Sequence, residues 1–368
     1  MGTHRYKITI NAVPQKPITY TYKYDKTDGI ELKISKQKAV VAFQMTTKKE
    51  HDDIISFRVR LVKDALRKAH LLHALSFDES LTVKKIAVMI DDDEKIYTNS
   101  AAGFPFFFSM LNSKNFGWGQ CWNQDQTGVV LSGTKTQTED DYRFISLFSY
   151  LAGQSKQFEI DRFTCLWTAM NAHYNHIAKC YEDRLCQELR LSSRKEIKKK
   201  QRLLEDDTGS ISALLKILEL GNAKPSRAKK EANIKDYGAL KDHLQELDEH
   251  KIITLHEDLY NHRTDMNYVP EGKLGEHLQI CIDHAKMSAY AYILLEYAYY
   301  LRCKYIHGNK TTILFAAYHD AELAALRVVN YFLSKYLKQA IPTMFDEDYF
   351  TEEMYQRCKI TAEEKAKT

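Results

Sequence analysis

The feature that most constrains the fold is the helical periodicity that runs through the chain from about Glu139 onward, where almost no strand pattern occurs. Apolar residues recur every three or four positions, which is the spacing of an amphipathic helix. Six segments carry the pattern: 140–153, 157–183, 209–221, 237–265, 273–308 and 319–342. Residues that end helices punctuate it: Gly221, Pro225, Pro270, Gly308 and Pro342. The sequence therefore predicts an all-α domain over residues 139–345.

The first hundred residues have a different, period-two pattern. Stretches such as RYKITINAV, ITYTYKY, IELKISK and AVVAFQM alternate apolar with polar residues and are rich in Thr, Tyr, Val and Ile. Helical spacing follows over residues 51–77, and SLTVKKIAVMIDDD returns to a strand pattern. We predict an α+β module over residues 1–98 followed by the all-α domain, so that the protein is mainly α overall.

Two further segments flank the predicted helical domain. Residues 99–138 are richer in Gly, Asn, Ser and aromatics, and we interpret them as a connection that packs through Trp118 and Trp122. Aromatics beside glycines could alternatively stack on nucleic-acid bases. Residues 346–368 are interpreted as a charged C-terminal tail.

Composition and charge indicate a soluble, cytoplasmic protein. Lys plus Arg outnumber Asp plus Glu by 53 to 49, so the net charge of +4 does not imply a polyanion partner by itself. The seven cysteines form no C-x-x-C pair, which argues against a secreted disulfide framework. The N-terminus lacks the apolar run of a signal peptide, and the most apolar window, AYAYILLEYAYYL, is shorter than a bilayer span and contains Glu296. No membrane partner is expected.

A local basic segment lies near residues 190–235, in RLSSRKEIKKKQRLLEDD and KPSRAKKEANIK. One interpretation is a solvated helical face or an insertion into the helical domain. The other is nucleic-acid binding, because clustered cations can contact several phosphates. The candidate RNA-binding residues are Arg194, Lys195, Lys198, Lys199, Lys200 and Arg202.

Arg302 and His307 stand five positions apart in YAYYLRCKYIHGNK, at the end of a long aromatic and aliphatic segment. At about 100° per residue, they lie roughly 140° apart around a straight helix, so they do not share a face. Gly308 at a C′ position lets the chain turn left-handed, which would leave His307 in the last turn. The two side chains can therefore converge only beyond a helix end or across an interface.

An arginine and a histidine at such a place suit phosphodiester cleavage without a metal. Histidine titrates near neutral pH and can move protons at the attacking 2′-hydroxyl or at the leaving 5′-oxygen. A guanidinium can bind the nonbridging oxygens as negative charge builds. One histidine can hardly do both jobs, so a symmetric dimer would supply two of each residue to a composite site. Surface or capping roles are the alternative, since this spacing often arises by chance.

The context YYLRCKYIHGNK, at the end of an apolar helix and before another helix, resembles the R-x4–6-H motif of the HEPN superfamily. RFTCLWTAMNAHY, from Arg162 to Tyr174, looks like the first core helix of that family, and the resemblance covers residues 140–340. HEPN domains are helical bundles that commonly dimerise, and many are metal-independent ribonucleases of toxin–antitoxin, abortive-infection and CRISPR systems. The resemblance thus implies that Arg302 and His307 are the catalytic pair.

Three further residues are supporting candidates under the same resemblance. The position after the arginine is typically Asn, Asp or His in active subgroups, and here it is Cys303, so either polar support is unnecessary or activity is reduced or absent. Lys304 is expected to be exposed or to meet a phosphate. Asn171 is expected near the bundle core, where its alternative role is a structural hydrogen bond between helices.

Other chemistries are disfavoured by the sequence. His173, His176 and Cys180 have i, i+3 and i+7 spacing and could lie along one helical face as metal ligands. A fourth ligand is not apparent, and H-x-x-H without an intervening glutamate is not the zincin motif. We therefore predict no metal and no cofactor. No phosphate-binding glycine loop and no G-x-S-x-G elbow occurs, which disfavours nucleotide hydrolysis and serine-hydrolase chemistry.

The expected function is a metal-independent endoribonuclease that cleaves RNA by 2′-hydroxyl transesterification as a homodimer, in prokaryotic antiviral defence or growth control, with a possible regulatory partner or antitoxin. The alternative is a catalytically inactive HEPN-like module that dimerises or binds nucleotide or RNA and regulates a partner. The presence of both Arg302 and His307 favours the enzyme, whereas Cys303 keeps the binding module open.

Overall fold

The computed structural model forms two compact units, Met1–Asp140 and Asp141–Thr368. It describes residues 4–11, 18–22, 30–34, 38–45, 49–55, 59–77, 85–98, 139–154, 156–190, 233–285, 287–306, 319–345 and 349–366. The predicted connection at residues 99–138, with Trp118 and Trp122, lies outside these residues, as does the predicted helix over residues 209–221.

The first unit is a six-stranded sheet with helices. Its elements are β1 (His4–Asn11), β2 (Ile18–Tyr22), β3 (Ile30–Ile34), β4 (Lys38–Met45), α1 (His51–Ile55), α2 (Arg60–Phe77), β5 (Lys85–Ile90) and β6 (Asp93–Thr98). The strand order is β2-β3-β4-β1-β5-β6, and every neighbouring pair is antiparallel. The predicted α+β character of this part of the chain is confirmed.

Alternation in the sequence explains which side of the sheet is buried. Along β5, Ile86, Val88 and Ile90 are buried while the residues between them are partly exposed. The apolar side of α2 packs against β3 and β4. Strand β6 was not predicted, because DEKIYT has no clear alternation and its first four residues are exposed at the sheet edge. It pairs with β5 through a turn in which Asp91 adopts a left-handed φ of 52°.

The second unit is helical throughout the residues that the structure describes. Its elements are α3 (Glu139–Gln154), α4 (Glu159–Glu188), α5 (Asn233–Gln245), α6 (Glu249–Asn261), α7 (Gly272–Ala285), α8 (Ala289–Ala291), a π-helical segment (Tyr292–Tyr297), α9 (Ala298–Ile306), α10 (His319–Thr343) and α11 (Glu352–Ala366). Helix α10 packs against α4 and α5, and α9 packs against α4. Among the described residues, no helix is both long enough and apolar enough to span a bilayer.

Two segments predicted as single helices are broken. The segment 237–265 divides at Asp248, whose carboxylate accepts a hydrogen bond from Lys251 N at 2.8 Å and so starts α6. The segment 273–308 divides before Ser288, whose hydroxyl accepts one from Ala291 N at 3.3 Å. Apolar spacing continues across both breaks, so periodicity alone does not reveal them.

The segment interpreted as a charged tail contains an ordered helix that packs on α4. In α11, Tyr355 is 3 % exposed and Cys358 is fully buried, so an apolar side lies among the charged residues. The ring of Tyr355 lies 5.6 Å from that of Tyr181, and Lys359 pairs with Glu188 at 2.8 Å. The polar composition of the segment gave no sign of this helix. Two buried residues at helical spacing are enough to anchor it on α4.

Candidate functional site

The motif arginine lies in α9, four residues before the helix ends at Ile306. Arg302 is half-buried, and its Nε atom is buried. Its guanidinium carbon lies 5.8 Å from the ring centre of Tyr299, one turn earlier on the same helix, within the range of a cation–π contact. Because a helical side chain leans toward the N-terminus of its helix, this contact is the expected one for an arginine three residues after a tyrosine.

Aromatic side chains of α4 pack against the tyrosine ring that contacts the arginine. The ring of Tyr299 lies 6.1 Å from that of Trp167, which stacks on Phe163 at 6.4 Å. The rings of Tyr305 and Phe163 pack in a T-shaped arrangement, with their centres 6.4 Å apart. Phe163 is fully buried and Trp167 is 4 % exposed, so the layer belongs to the core of the bundle. Arg302 therefore lies on a closely packed aromatic layer, at the partly exposed edge of that layer.

A buried carboxylate joins the last turn of α9 to two other helices. Glu322 of α10 is 5 % exposed. Its Oε1 accepts hydrogen bonds from Lys304 and from Lys241 of α5, and its Oε2 accepts one from the Tyr305 hydroxyl. Both oxygens of this buried group are therefore satisfied by donors from α5 and α9.

The electrostatics of this cluster favour the ionised carboxylate. Burial by itself would raise the pKa of Glu322, but the hydrogen bonds from Lys241, Lys304 and Tyr305 lower it to about 2. Burial and the bond to Glu322 raise the pKa of the Tyr305 phenol, so that its hydroxyl remains a donor. At neutral pH the cluster holds an anion between two ammonium groups.

The structure places the supporting candidates as follows. Cys303 is half-buried, with its Sγ 4.0 Å from Arg302 Nη1. Lys304 is not exposed as expected: its side chain is 16 % exposed and pairs with Glu322. Asn171 is half-buried, and its Oδ1 accepts from Asn175 Nδ2 at 3.1 Å, so this partner lies on its own helix rather than on another.

Several predicted residues lie outside the part of the chain that the structure describes. They are His307 and the candidate RNA-binding set Arg194, Lys195, Lys198, Lys199, Lys200 and Arg202. Helix α9 ends at Ile306, the residue before His307. The catalytic role of the histidine and the role of the basic segment stay predictions.

The histidines of α4 point to different partners. His173 Nε2 lies 3.1 Å from the Tyr349 hydroxyl, and burial lowers the pKa of His173 to about 4. His176 Nε2 lies 3.4 Å from Arg143 Nε and 3.7 Å from Cys180 Sγ. Among the described residues, no group of three or more His, Cys, Asp or Glu side chains is arranged to hold a metal ion. These contacts join α4 to α3 and to the segment before α11.

Sequence reasoning missed Glu322, although a signal for it exists. Ala325, Leu326, Val329, Phe332 and Leu333 form the buried side of α10. Glu322 occupies the same side, one turn before this set. A carboxylate on the apolar side of a helix requires donors, and Lys304 and Tyr305 are polar residues in an otherwise apolar stretch.

No protein-family model, no curated protein and no solved structure matches this chain. The features that bear on function are therefore the motif and the contacts around Arg302.

Proposed function

We propose that the second unit is a metal-independent endoribonuclease of HEPN type. The observation that carries the proposal is the seating of Arg302: a partly exposed guanidinium at a helix end, held on Tyr299 over the buried layer of Trp167 and Phe163, five residues before a histidine. A guanidinium fixed in this way is suited to bind the nonbridging oxygens of a phosphodiester.

The proposed reaction is transesterification at a site composed of two copies of the chain. The 2′-hydroxyl oxygen bonds to the phosphorus of its own 3′-phosphate, and its proton passes to His307 of one copy. The bond between phosphorus and the 5′-oxygen breaks, and that oxygen takes a proton from His307 of the other copy. Arg302 stabilises the charge that builds on the nonbridging oxygens. The products are a 2′,3′-cyclic phosphate and a 5′-hydroxyl.

The biological setting that we propose is prokaryotic defence or growth control, with activity restrained by a regulatory partner or antitoxin. A second candidate function is a catalytically inactive HEPN-like module that dimerises or binds nucleotide or RNA. Two observations favour it: Cys303 stands where active subgroups of the family have a stronger hydrogen-bonding residue, and Lys304 pairs with Glu322 instead of extending toward a phosphate.

Cleavage of a mixed pool of single-stranded and structured RNA in EDTA tests the proposal. The wild type is compared with Arg302→Ala, His307→Ala and the control Arg327→Ala. Arg327 is a suitable control because it is a 64 % exposed arginine on α10 that pairs with Glu159, away from the last turn of α9. The product ends are analysed for cyclic phosphate.

Cyclic-phosphate ends that appear with the wild type and with Arg327→Ala, and that vanish with either of the other variants, support the ribonuclease. Mixing Arg302→Ala with His307→Ala should not restore the activity, since each mixed dimer then has one His307 and the proposed reaction uses two. Cleavage that is indifferent to both substitutions, or no cleavage at all, would favour the binding module.

A further inference from the structure

The last turn of α9 is anchored to the rest of the bundle by one carboxylate. Glu322 bonds to Lys304 and Tyr305, which are the second and third residues after Arg302. It also bonds to Lys241, so three helices meet at this one group. Helix ends fray readily because their final carbonyl groups lack partners within the helix. A side-chain anchor in the last turn therefore decides where that turn lies.

A second line of contacts leads from the same carboxylate back to the arginine. The Tyr305 hydroxyl bonds to Glu322 while its ring meets Phe163. Phe163 stacks on Trp167, and Trp167 contacts Tyr299, over whose ring the Arg302 guanidinium lies. Moving Tyr305 would thus displace the surface on which the arginine sits, in addition to loosening its helix.

We infer that Glu322 is a positioning residue for Arg302: by holding Lys304 and Tyr305 against α10 and α5, it fixes the last turn of α9 and the seat of the guanidinium on Tyr299. The inference rests on the proposed function for its catalytic consequence. Its structural part, the coupling between Glu322 and the aromatic seat of Arg302, can be measured without any activity.

The burial of Glu322 explains why this anchor is specific. An ionised carboxylate in the interior is tolerated only when its oxygens are bonded to donors. Three donors satisfy Glu322 only when α5, α9 and α10 are docked together. A partly undocked α9 would leave the charge buried with a lysine as its remaining partner, so intermediate positions of the last turn are disfavoured.

Two variants test the inference by steady-state cleavage of RNA. Glu322→Gln keeps the size of the side chain but removes its charge, and Tyr305→Phe keeps the ring on Phe163 but removes the hydroxyl bond. The control is Glu159→Gln. Glu159 also ties α4 to α10: among the described residues, its side chain bonds to Asn330 Nδ2 at 2.8 Å and pairs with Arg327, both on α10.

We expect Glu322→Gln and Tyr305→Phe to lower kcat by about 10- to 100-fold, since small misplacements of a catalytic group have effects of this size. KM should not rise, because the guanidinium is displaced rather than removed. Glu159→Gln should leave kcat unchanged. Rates are normalised to the folded fraction, so that a merely structural role would change neither kcat nor KM.

The independent readout is ¹⁹F NMR of protein labelled with 5-fluorotryptophan. The chain contains three tryptophans, and Trp167→Phe assigns the relevant resonance. This resonance should shift in Arg302→Ala, in Glu322→Gln and in Tyr305→Phe, and stay in place in Glu159→Gln. A wild-type kcat in both test variants, or a kcat loss that only follows the folded fraction, would overturn the inference.

If the wild type does not cleave RNA, the proposed function fails and the Trp167 resonance alone decides the inference. A shift in both test variants supports the coupling between Glu322 and the seat of Arg302. An unmoved resonance in both variants overturns it.

Discussion

Replacing Glu322 by Gln is expected to destabilise the second unit in a pH-dependent way. The substitution keeps the volume of the side chain, so no cavity is created and the effect reports on charge and hydrogen bonding. In the wild type the two carboxylate oxygens accept from Lys241, Lys304 and Tyr305. An amide offers one acceptor and turns an N–H donor toward groups that are donors themselves.

The magnitude follows from the pKa of the carboxyl group. These bonds hold the pKa of Glu322 at about 2, below its ordinary value of 4.5. At about 1.4 kcal/mol per unit, the ionised form is stabilised in the fold by about 3 kcal/mol at pH 7. Because the folded-state pKa is lowered, this contribution is complete above the unfolded-state pKa and is lost as the pH falls toward 2. At pH 3.5 about 2 kcal/mol remains.

Urea titrations between pH 3.5 and pH 7 measure this effect. They are followed by the ¹⁹F resonance of Trp167, because that residue lies in the second unit and reports its unfolding separately from the first. The difference in unfolding free energy between wild type and Glu322→Gln should shrink from about 3 kcal/mol at pH 7 to about 2 kcal/mol at pH 3.5. As the wild-type carboxyl is protonated, it becomes a neutral group like the amide.

Two results would refute this reasoning. A difference of less than about 1 kcal/mol at pH 7 would mean that Glu322 is a weak pair of the kind found at surfaces. A large difference that does not change with pH would mean that the amide disturbs packing, and that the charge of Glu322 contributes little.

Three further predictions concern the scaffold of the second unit. His173→Gln should flatten the pH dependence of stability: the pKa of the buried imidazole is lowered to about 4, so the wild type loses stability as the pH falls from about 6.5 to 4, by up to about 3 kcal/mol in urea titrations. Asn330→Ala should cost about 2 kcal/mol in the same assay, because this fully buried amide donates to the backbone and carboxylate oxygens of Glu159 at 2.8 Å. Tyr355→Ala should cost about 3 kcal/mol and make α11 sensitive to limited proteolysis, since its buried ring anchors that helix on Tyr181 of α4.

Periodicity predicted the kinds of elements well and their limits less well. The change from period two to helical spacing separates a sheet-containing unit from a helical one. Each spacing places the apolar residues on the one side of a strand or a helix that becomes buried. The breaks at Asp248 and Ser288 depend on single hydrogen bonds from a capping side chain, and the apolar pattern crosses them without interruption. Helix α11 was not predicted because its apolar side consists of few residues, so the helix forms where the sequence shows little apolar pattern.

The candidate site shows a similar limit. The sequence motif identifies Arg302 as a candidate because the residue types and their spacing suit one chemistry. It does not reveal what holds the arginine, since Glu322 is distant along the chain and meets α9 only through the packing of α10. Lys304 was misjudged for this reason. Its partner is a buried anion on another helix, and the residues around Lys304 in the sequence do not identify that partner.

The negative charge of Glu322 and its positioning of Arg302 should affect RNA cleavage in different ways. Glu322→Gln and Tyr305→Phe are therefore expected to differ in their effects on KM. Near the last turn of α9, the ammonium groups of Lys304 and Lys241 pair with the carboxylate of Glu322. Neutralising Glu322 removes one negative charge there and should attract an RNA phosphate more strongly, lowering KM in a salt-dependent manner. Tyr305→Phe removes an anchor without changing any charge, so KM should stay constant while kcat falls. A fall in kcat in both variants, with a lower KM in Glu322→Gln alone, is expected only if Glu322 acts through the position of Arg302, because a purely electrostatic role would leave Tyr305→Phe with the activity of the wild type.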